Sequence, residues 1–162
     1  MDTDFSRTFF ITTVTWARRP LFISDPLAAM LLQTLQRLRD EQILRVHSFV
    51  IMPDHLHVIL TPSPLKSLER SMQFLKGRFS FRVKKELGNN LEIWEKSFTN
   101  HRVRDMWDYT RHREYIHQNP VKCGLVTSAG DYQYSSANPA FLLDDLPQRL
   151  KPQVGLTSVS RR

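Results

Sequence analysis

Two β-rich runs joined by a link too short to cross over constrain this fold most. Residues 43–52 (ILRVHSFVIM) and 55–61 (HLHVILT) are dominated by β-branched and large apolar side chains, with only Pro53 and Asp54 between them. Two residues can close a hairpin, but a parallel pair needs a crossover of a dozen or more. The segment is therefore expected to be an antiparallel hairpin turned at Pro53 and Asp54. Alternation along a strand then sends His55 and His57 to one side of the sheet and Leu56, Val58 and Leu60 to the other, into the core.

The flanking pattern supplies the rest of a fold. Residues 7–16 (RTFFITTVTW) read as a strand, broken by Arg18, Arg19 and Pro20. Asp25 is expected to cap a helix that Pro26 opens, with Leu27, Met30, Leu31, Thr34, Leu35 and Leu38 at helical spacing. After Pro62, Ser63 and Pro64, a long helix is expected from about residue 65 to 87. Its core stripe is Leu68, Met72, Leu75, Phe79 and Val83, and Gly88 stops it. Residues 93–103 read as extended. Asp105 then caps a helix reaching Gln118, which is expected to end at Asn119 because the residue before a proline disfavours helical backbone. The order is β-α-β-β-α-β plus a further helix. That is the α+β, ferredoxin-like (RRM-like) split pattern, an antiparallel sheet with helices on one face and a C-terminal helix bearing Tyr115. One domain is expected over residues 1–146, followed by a basic, loose tail over 147–162.

Charge points to the class of partner. The chain carries 23 Lys and Arg against 16 Asp and Glu, a formal net charge of +7, which suits a polyanion. The bases cluster: Lys66, Arg70, Lys76, Arg78, Arg82, Lys84 and Lys85 share residues 64–88 with only Glu69 and Glu86. The tail has four bases and no acid. The single cysteine, Cys123, excludes an internal disulfide and a multi-cysteine zinc site. No apolar run is long enough for a membrane span, and the N-terminus carries acids where a signal peptide carries bases, so a cytoplasmic location is expected.

Two short segments carry chemistry. His55 and His57, side by side on one strand face, are a partial metal site or two solvent-facing histidines. On the last helix, Tyr115 and Asn119 lie one turn apart, with Asp108 and His112 extending their face. Met106, Tyr109 and Ile116 form a separate stripe assigned to the core. Tyr115 is then a tyrosine with a free hydroxyl and Asn119 an amide oxygen for a hard cation. The alternative is a surface tyrosine with Asn119 as a C-terminal cap.

Met52-Pro53-Asp54-His55-Leu56-His57 resembles the His-hydrophobe-His motif of the HUH nucleases. Tyr115-Ile116-His117-Gln118-Asn119-Pro120-Val121, running on into Lys122-Cys123-Gly124-Leu125-Val126, resembles the tyrosine helix of the REP-associated tyrosine transposases, relatives of the IS200/IS605 transposases. Trp94-Glu95-Lys96-Ser97-Phe98, Arg102-Val103-Arg104-Asp105 and Tyr132-Gln133-Tyr134-Ser135-Ser136 are similar to that family too. The resemblance covers about residues 5–140. It implies that His55, His57 and Asn119 hold a divalent metal, Mg²⁺ or Mn²⁺, with Gln118 as a fallback ligand, and that Tyr115 is the nucleophile. Asn119 replaces the glutamine of the IS200/IS605 branch. The implied activity is transposase-like: a metal-dependent single-strand endonuclease that nicks and rejoins hairpin-forming, REP-like DNA through a 5′-phosphotyrosine. A phenol in water has a pKa of about 10, so such an attack needs assistance. Both a monomer and a homodimer fit the resemblance, because IS200-like relatives are dimers and REP-associated ones act as monomers.

Lys76, Arg78, Arg82, Lys84 and Lys85 are candidates for a DNA backbone surface, and Arg102 and Arg104 for a phosphate near the metal. Phe81 is a candidate base stacker, whereas Phe79, Trp16, Trp94 and Trp107 are expected in the core. His47, His101, His112 and His117 have no assigned role. Two competing readings share the charge: a non-catalytic hairpin-binding module on the same fold, and a metallonuclease whose nucleophile is water.

Overall fold

Four strands form one antiparallel sheet: β1 (Thr8–Val14), β2 (Leu44–Met52), β3 (His55–Pro62) and β4 (Thr99–Val103), in the spatial order β2-β3-β1-β4. This computed structural model describes residues 7–150 apart from 89, 142, 145, 146, 148 and 149. The expected hairpin forms, with Met52 opposite His55 and Val50 opposite His57. β3 then pairs with β1, placing Thr12 beside His57, and β1 pairs with β4, placing Phe10 beside His101. The strand order and the two intervening helices are those of the ferredoxin-like α+β fold.

Sequence alternation divides the two sheet faces. Ile11, Phe49, Ile51, Leu56, Val58 and Leu60 face α1 (Asp25–Asp40) and α2 (Leu68–Leu87), forming the main core with Leu31, Leu35, Leu38, Met72, Leu75 and Phe79. Five apolar positions of α2 at three- and four-residue spacing, Leu68, Met72, Leu75, Phe79 and Val83, are all buried. Phe79 is fully buried and meets Phe22 and Trp94 with ring centroids 5.8 and 5.6 Å away. The opposite face carries Val50, Met52, Ile59 and Val103, covered by Tyr109 and Ile116 of α3 (Met106–Lys122). The helix bearing Tyr115 thus lies across the sheet from α1 and α2.

Several local expectations differ from the structure. Ser24, not Asp25, precedes the first turn of α1, and the Asp25 carboxylate instead accepts a 3.2 Å hydrogen bond from the Tyr134 hydroxyl. α2 starts at Leu68, where the Ser67 hydroxyl accepts from the Arg70 amide at 3.1 Å. α3 runs through Pro120 to Lys122. A proline removes one helical hydrogen bond, but Pro120 is buried at the inner face of α3, and that burial offsets the loss. The helix closes four residues later, where Gly124 takes left-handed backbone (φ 74°) and the Leu125 amide donates to the Pro120 carbonyl at 2.9 Å.

Trp94 is buried, but Trp16 and Trp107 are 40% and 49% exposed. Trp16 enters a short 3₁₀ turn past the end of β1, and Trp107 faces outward from the first turn of α3 under the Arg111 guanidinium. In the expected tail, Pro147 is buried and Leu150 packs against the α3-side cluster. The rest of that tail, residues 148, 149 and 151–162, lies outside the described residues.

Residues after α3 tie the strand edge down. The Tyr132 hydroxyl donates to the Ile51 carbonyl at 2.8 Å, and burial, with smaller contributions from Tyr134 and Cys123, pushes its pKa up to about 12. An acid whose pKa is raised by folding keeps its proton in the native state after the unfolded chain has lost it. Its contribution is therefore complete below pH 10 and declines as pH rises from 10 to about 12. Tyr132→Phe should lower stability by about 1 kcal/mol at pH 8. In urea melts the gap to wild type should narrow above pH 10, and a gap constant to pH 11.5 would refute the assignment.

Candidate active site

β3 begins with the two histidines. Because they lie two residues apart on the strand, both rings project from the α3 side, and their Nε2 atoms come within 3.1 Å of each other. Each ring is held from behind. His55 Nδ1 is 2.6 Å from Asp54 Oδ1, and His57 Nδ1 is 2.7 Å from Thr12 Oγ1. These partners fix ring orientation and leave the two Nε2 atoms converging on one point, which is how a protein prepares imidazoles for a metal.

The electrostatics agree with that preparation. His57 is 5% exposed, and burial, reinforced by repulsion from His55, drives its pKa down to about 3, with Asp54 opposing. It is therefore a neutral imidazole throughout the physiological range. Burial alone would raise the Asp54 carboxyl, but its hydrogen bond to His55 and the charges of His55 and Arg18 hold it below the usual carboxylate range. Asp54 thus remains an anion behind His55. The donor set, two oriented imidazoles of which one is anchored by a carboxylate, fits a divalent cation.

α3 brings the tyrosine to the same place. The Asp105 side chain caps the helix by accepting from the Asp108 amide at 2.7 Å. Two and a half turns on, the Tyr115 ring meets the His57 ring edge-on, with centroids 5.3 Å apart, while Tyr115 itself is 45% exposed. Phe10 of β1 stacks on His57 at 5.3 Å and meets Tyr115 edge-on at 6.0 Å, so it supports both. Asn119, one turn beyond Tyr115, is buried, with its Oδ1 3.7 Å from the Cys123 sulfur. Gln118, the other residue considered for that position, is exposed.

The structure therefore brings His55, His57 and Tyr115 together, with Asn119 one turn away. The basic candidates of α2 lie on the other side of the sheet. Lys76 donates to the Glu95 carbonyl at 2.7 Å, Arg78 pairs with Glu41, and Arg82 pairs with Glu86 at 2.8 Å. Lys84 and Lys85 are exposed in the last turn of α2. Arg102 is exposed opposite Phe9 on β4 and by alternation points away from α3, while Arg104 is exposed just after the strand. Phe81 is 67% exposed. Two of the unassigned histidines are engaged with hydroxyls, His47 with Thr61 at 2.8 Å and His117 with Ser136 at 3.0 Å.

Sequence reasoning missed the residues behind the histidines. Asp54 adjoins His55 and was legible only as a turn residue. Thr12 and Phe10 reach the site through the β1–β3 register, which no local pattern encodes.

Comparison with known proteins places this arrangement. The sequence model of the family described as IS200-like transposases matches residues 5–119, which include both histidines, Tyr115 and Asn119. A REP-associated tyrosine transposase of Escherichia coli (strain K12) is 29% identical over 108 residues, 66% of this chain and 62% of that protein. A Haemophilus influenzae protein provisionally named a REP-associated tyrosine transposase is 33% identical over 96 residues, 53% of this chain and 54% of its own. The matches thus span less than two thirds of either curated relative. Among solved structures, a REP-associated tyrosine transposase bound to a REP hairpin has a TM-score of 0.69 at 25% identity, covering 89% of this chain and 87% of that one. No helix among the described residues is long and apolar enough to cross a membrane.

Proposed function

This chain belongs to the IS200-like transposase family, and we propose that it nicks and rejoins single-stranded, hairpin-forming DNA through a covalent bond to Tyr115. The reading rests on one observation: two imidazole Nε2 atoms 3.1 Å apart, with the Tyr115 ring against one of those imidazoles. His55 and His57, with Asn119 as the third ligand, would hold Mg²⁺ or Mn²⁺. Bound there, the ion would polarise the scissile phosphate and offset the charge that builds on it.

The chain's own residues then divide the work. Tyr115, half in solvent, attacks phosphorus; its oxygen forms the new P–O bond and its proton passes to solvent. The bond to the 3′ oxygen breaks, and that oxygen takes up a proton. The product is a 5′-phosphotyrosine and a free 3′-hydroxyl, and the same step run backwards joins strands without another energy source. Phe10 keeps the Tyr115 and His57 rings in register. Because Tyr115 and His57 are neighbours within one chain, one protomer supplies a complete site. Exposed bases such as Lys84, Lys85 and Arg104 would contribute sequence-independent attraction for the strand. The domain we assign to this activity is residues 1–146.

The hairpin-bound relative supports the choice of DNA class. The test is a single-stranded hairpin oligonucleotide labelled on the 3′ side of its cut and incubated with the protein and Mn²⁺. Label should migrate with the protein on a denaturing gel, and EDTA should abolish the adduct. Cleavage without an adduct would assign the reaction to water. Tight binding with neither cleavage nor adduct would leave a hairpin-binding module.

A further inference from the structure

A second cluster lies on the same sheet face, on the far side of Phe10. His101 Nε2 is 2.6 Å from Asp108 Oδ2, and His112 Nδ1 is 3.0 Å from Asp108 Oδ1. The two imidazoles stack, with centroids 4.7 Å apart and planes 23° from parallel. One potential ligand atom from each of the three residues lies within 4.8 Å of the others. The three come from two elements: His101 is fixed opposite Phe10 on β4, Asp108 stands in the capped first turn of α3, and His112 follows one turn later. No other three His, Cys, Asp or Glu residues among the described ones meet in this way.

We propose that His101, Asp108 and His112 form a second cation site, for a transition-metal dication such as Mn²⁺ or Zn²⁺, with open positions that take a phosphate of the bound strand. Two nitrogens and one carboxylate oxygen are a borderline-soft donor set, suited to these ions. Asp108 stands between the two imidazoles, with one carboxylate oxygen 2.6 Å from His101 Nε2 and the other 3.0 Å from His112 Nδ1, which also lies 2.8 Å from the Asp108 carbonyl oxygen, so a bound ion would take the place of these hydrogen bonds. Asp108 and His112 are largely shielded, with 13% and 15% of their side chains accessible, whereas 49% of His101 is accessible, so the open positions face solvent on the β4 side. That is where a strand crossing the sheet toward Tyr115 would pass. Phe10 touches His112 at 4.6 Å and His57 at 5.3 Å, so a single ring separates this site from the histidine pair. His112 also precedes Tyr115 by three residues on one helix face. A second ion here would anchor the strand on one side of the tyrosine while the first acts on the other. The inference rests on the reading of His55 and His57 only for the strand's path, and the two sites are separable by stoichiometry.

The experiment uses Co²⁺ as the probe, with visible absorption and equilibrium dialysis on the full chain at pH 7.5. Wild type should bind two ions. His101→Gln, at an exposed strand position, should bind one, and Asp108→Asn should do the same, with unchanged circular dichroism in both. His57→Gln should also keep one. A wild type with one ion that survives His101→Gln but not His57→Gln would overturn this inference and leave the first site standing. Two ions that both survive His101→Gln would overturn it as well. One ion lost in His101→Gln and kept in His57→Gln would support it and remove the metal from the histidine pair.

Discussion

Tyr115→Phe should abolish DNA cleavage and the covalent adduct while leaving the fold and hairpin affinity intact. The substitution removes one oxygen from a residue that is 45% exposed and whose hydroxyl forms no hydrogen bond among the described residues. Its ring contacts with His57 and Phe10 survive in phenylalanine, so stability should change by less than about 0.5 kcal/mol. Hairpin affinity, expected from phosphate contacts made elsewhere, should stay within a factor of a few. Phenylalanine offers no nucleophile, so the loss is one of mechanism and no fractional activity through the same route is expected. Residual adduct would have to come from another hydroxyl. Tyr109 is 3% exposed and Tyr134 is 8% exposed, and the Tyr132 hydroxyl is donated to Ile51, so none of the other described tyrosines is placed to substitute. An adduct of undiminished yield in Tyr115→Phe would sink the proposed mechanism.

The fold was legible because its determinants are local. The two-residue link at Pro53 and Asp54 forces the hairpin, the Leu68–Val83 spacing forces α2, and alternation along β3 sorts the histidines from Leu56, Val58 and Leu60. What stayed hidden depends on register and burial. Nothing near Thr12 says that it will sit beside His57, which follows from how β1 pairs with β3, and nothing near His101 says that it will close on Asp108, which follows from how α3 turns back over β4. Pro120 shows the limit of a local rule: a proline that should end a helix stays inside one when its ring is buried and the chain can close at Gly124. The tryptophans show another. Composition assigns all three to the core, yet only Trp94 has a cavity of aromatic neighbours, Phe22 and Phe79, to enter. The charge run on α2 was visible in sequence, but its separation from Tyr115 by the thickness of the sheet was not.

His57→Gln should weaken Mn²⁺ binding at the histidine pair by more than about 100-fold, because losing a direct ligand should exceed the 10–100-fold typical of losing a residue that orients one. Asp54→Asn provides that milder comparison. It keeps an oxygen near His55 Nδ1 but removes the charge behind the ring, so a loss of about 10–100-fold is expected. Cleavage should fall in the same order, His57→Gln below Asp54→Asn. The glutamine amide can still accept from the Thr12 hydroxyl, so the apo fold should persist at neutral pH. Acid stability supplies an independent check. His57 is a base whose pKa is lowered by folding from 6.5 to about 3, so the unfolded chain takes up a proton first as pH falls. Its contribution to stability is whole above pH 6.5 and is lost as pH drops toward 3. In EDTA, His57→Gln should therefore unfold at a lower pH than wild type, although it binds metal far more weakly. Mixing supplies the last test. Tyr115 and His57 are adjacent within one chain, so a mixture of Tyr115→Phe and His57→Gln proteins should remain inactive. Recovery of about a quarter of wild-type cleavage, the share expected if randomly exchanged dimers lend a tyrosine to the partner's histidines, would show that the active site is built between two chains and overturn the single-chain assignment.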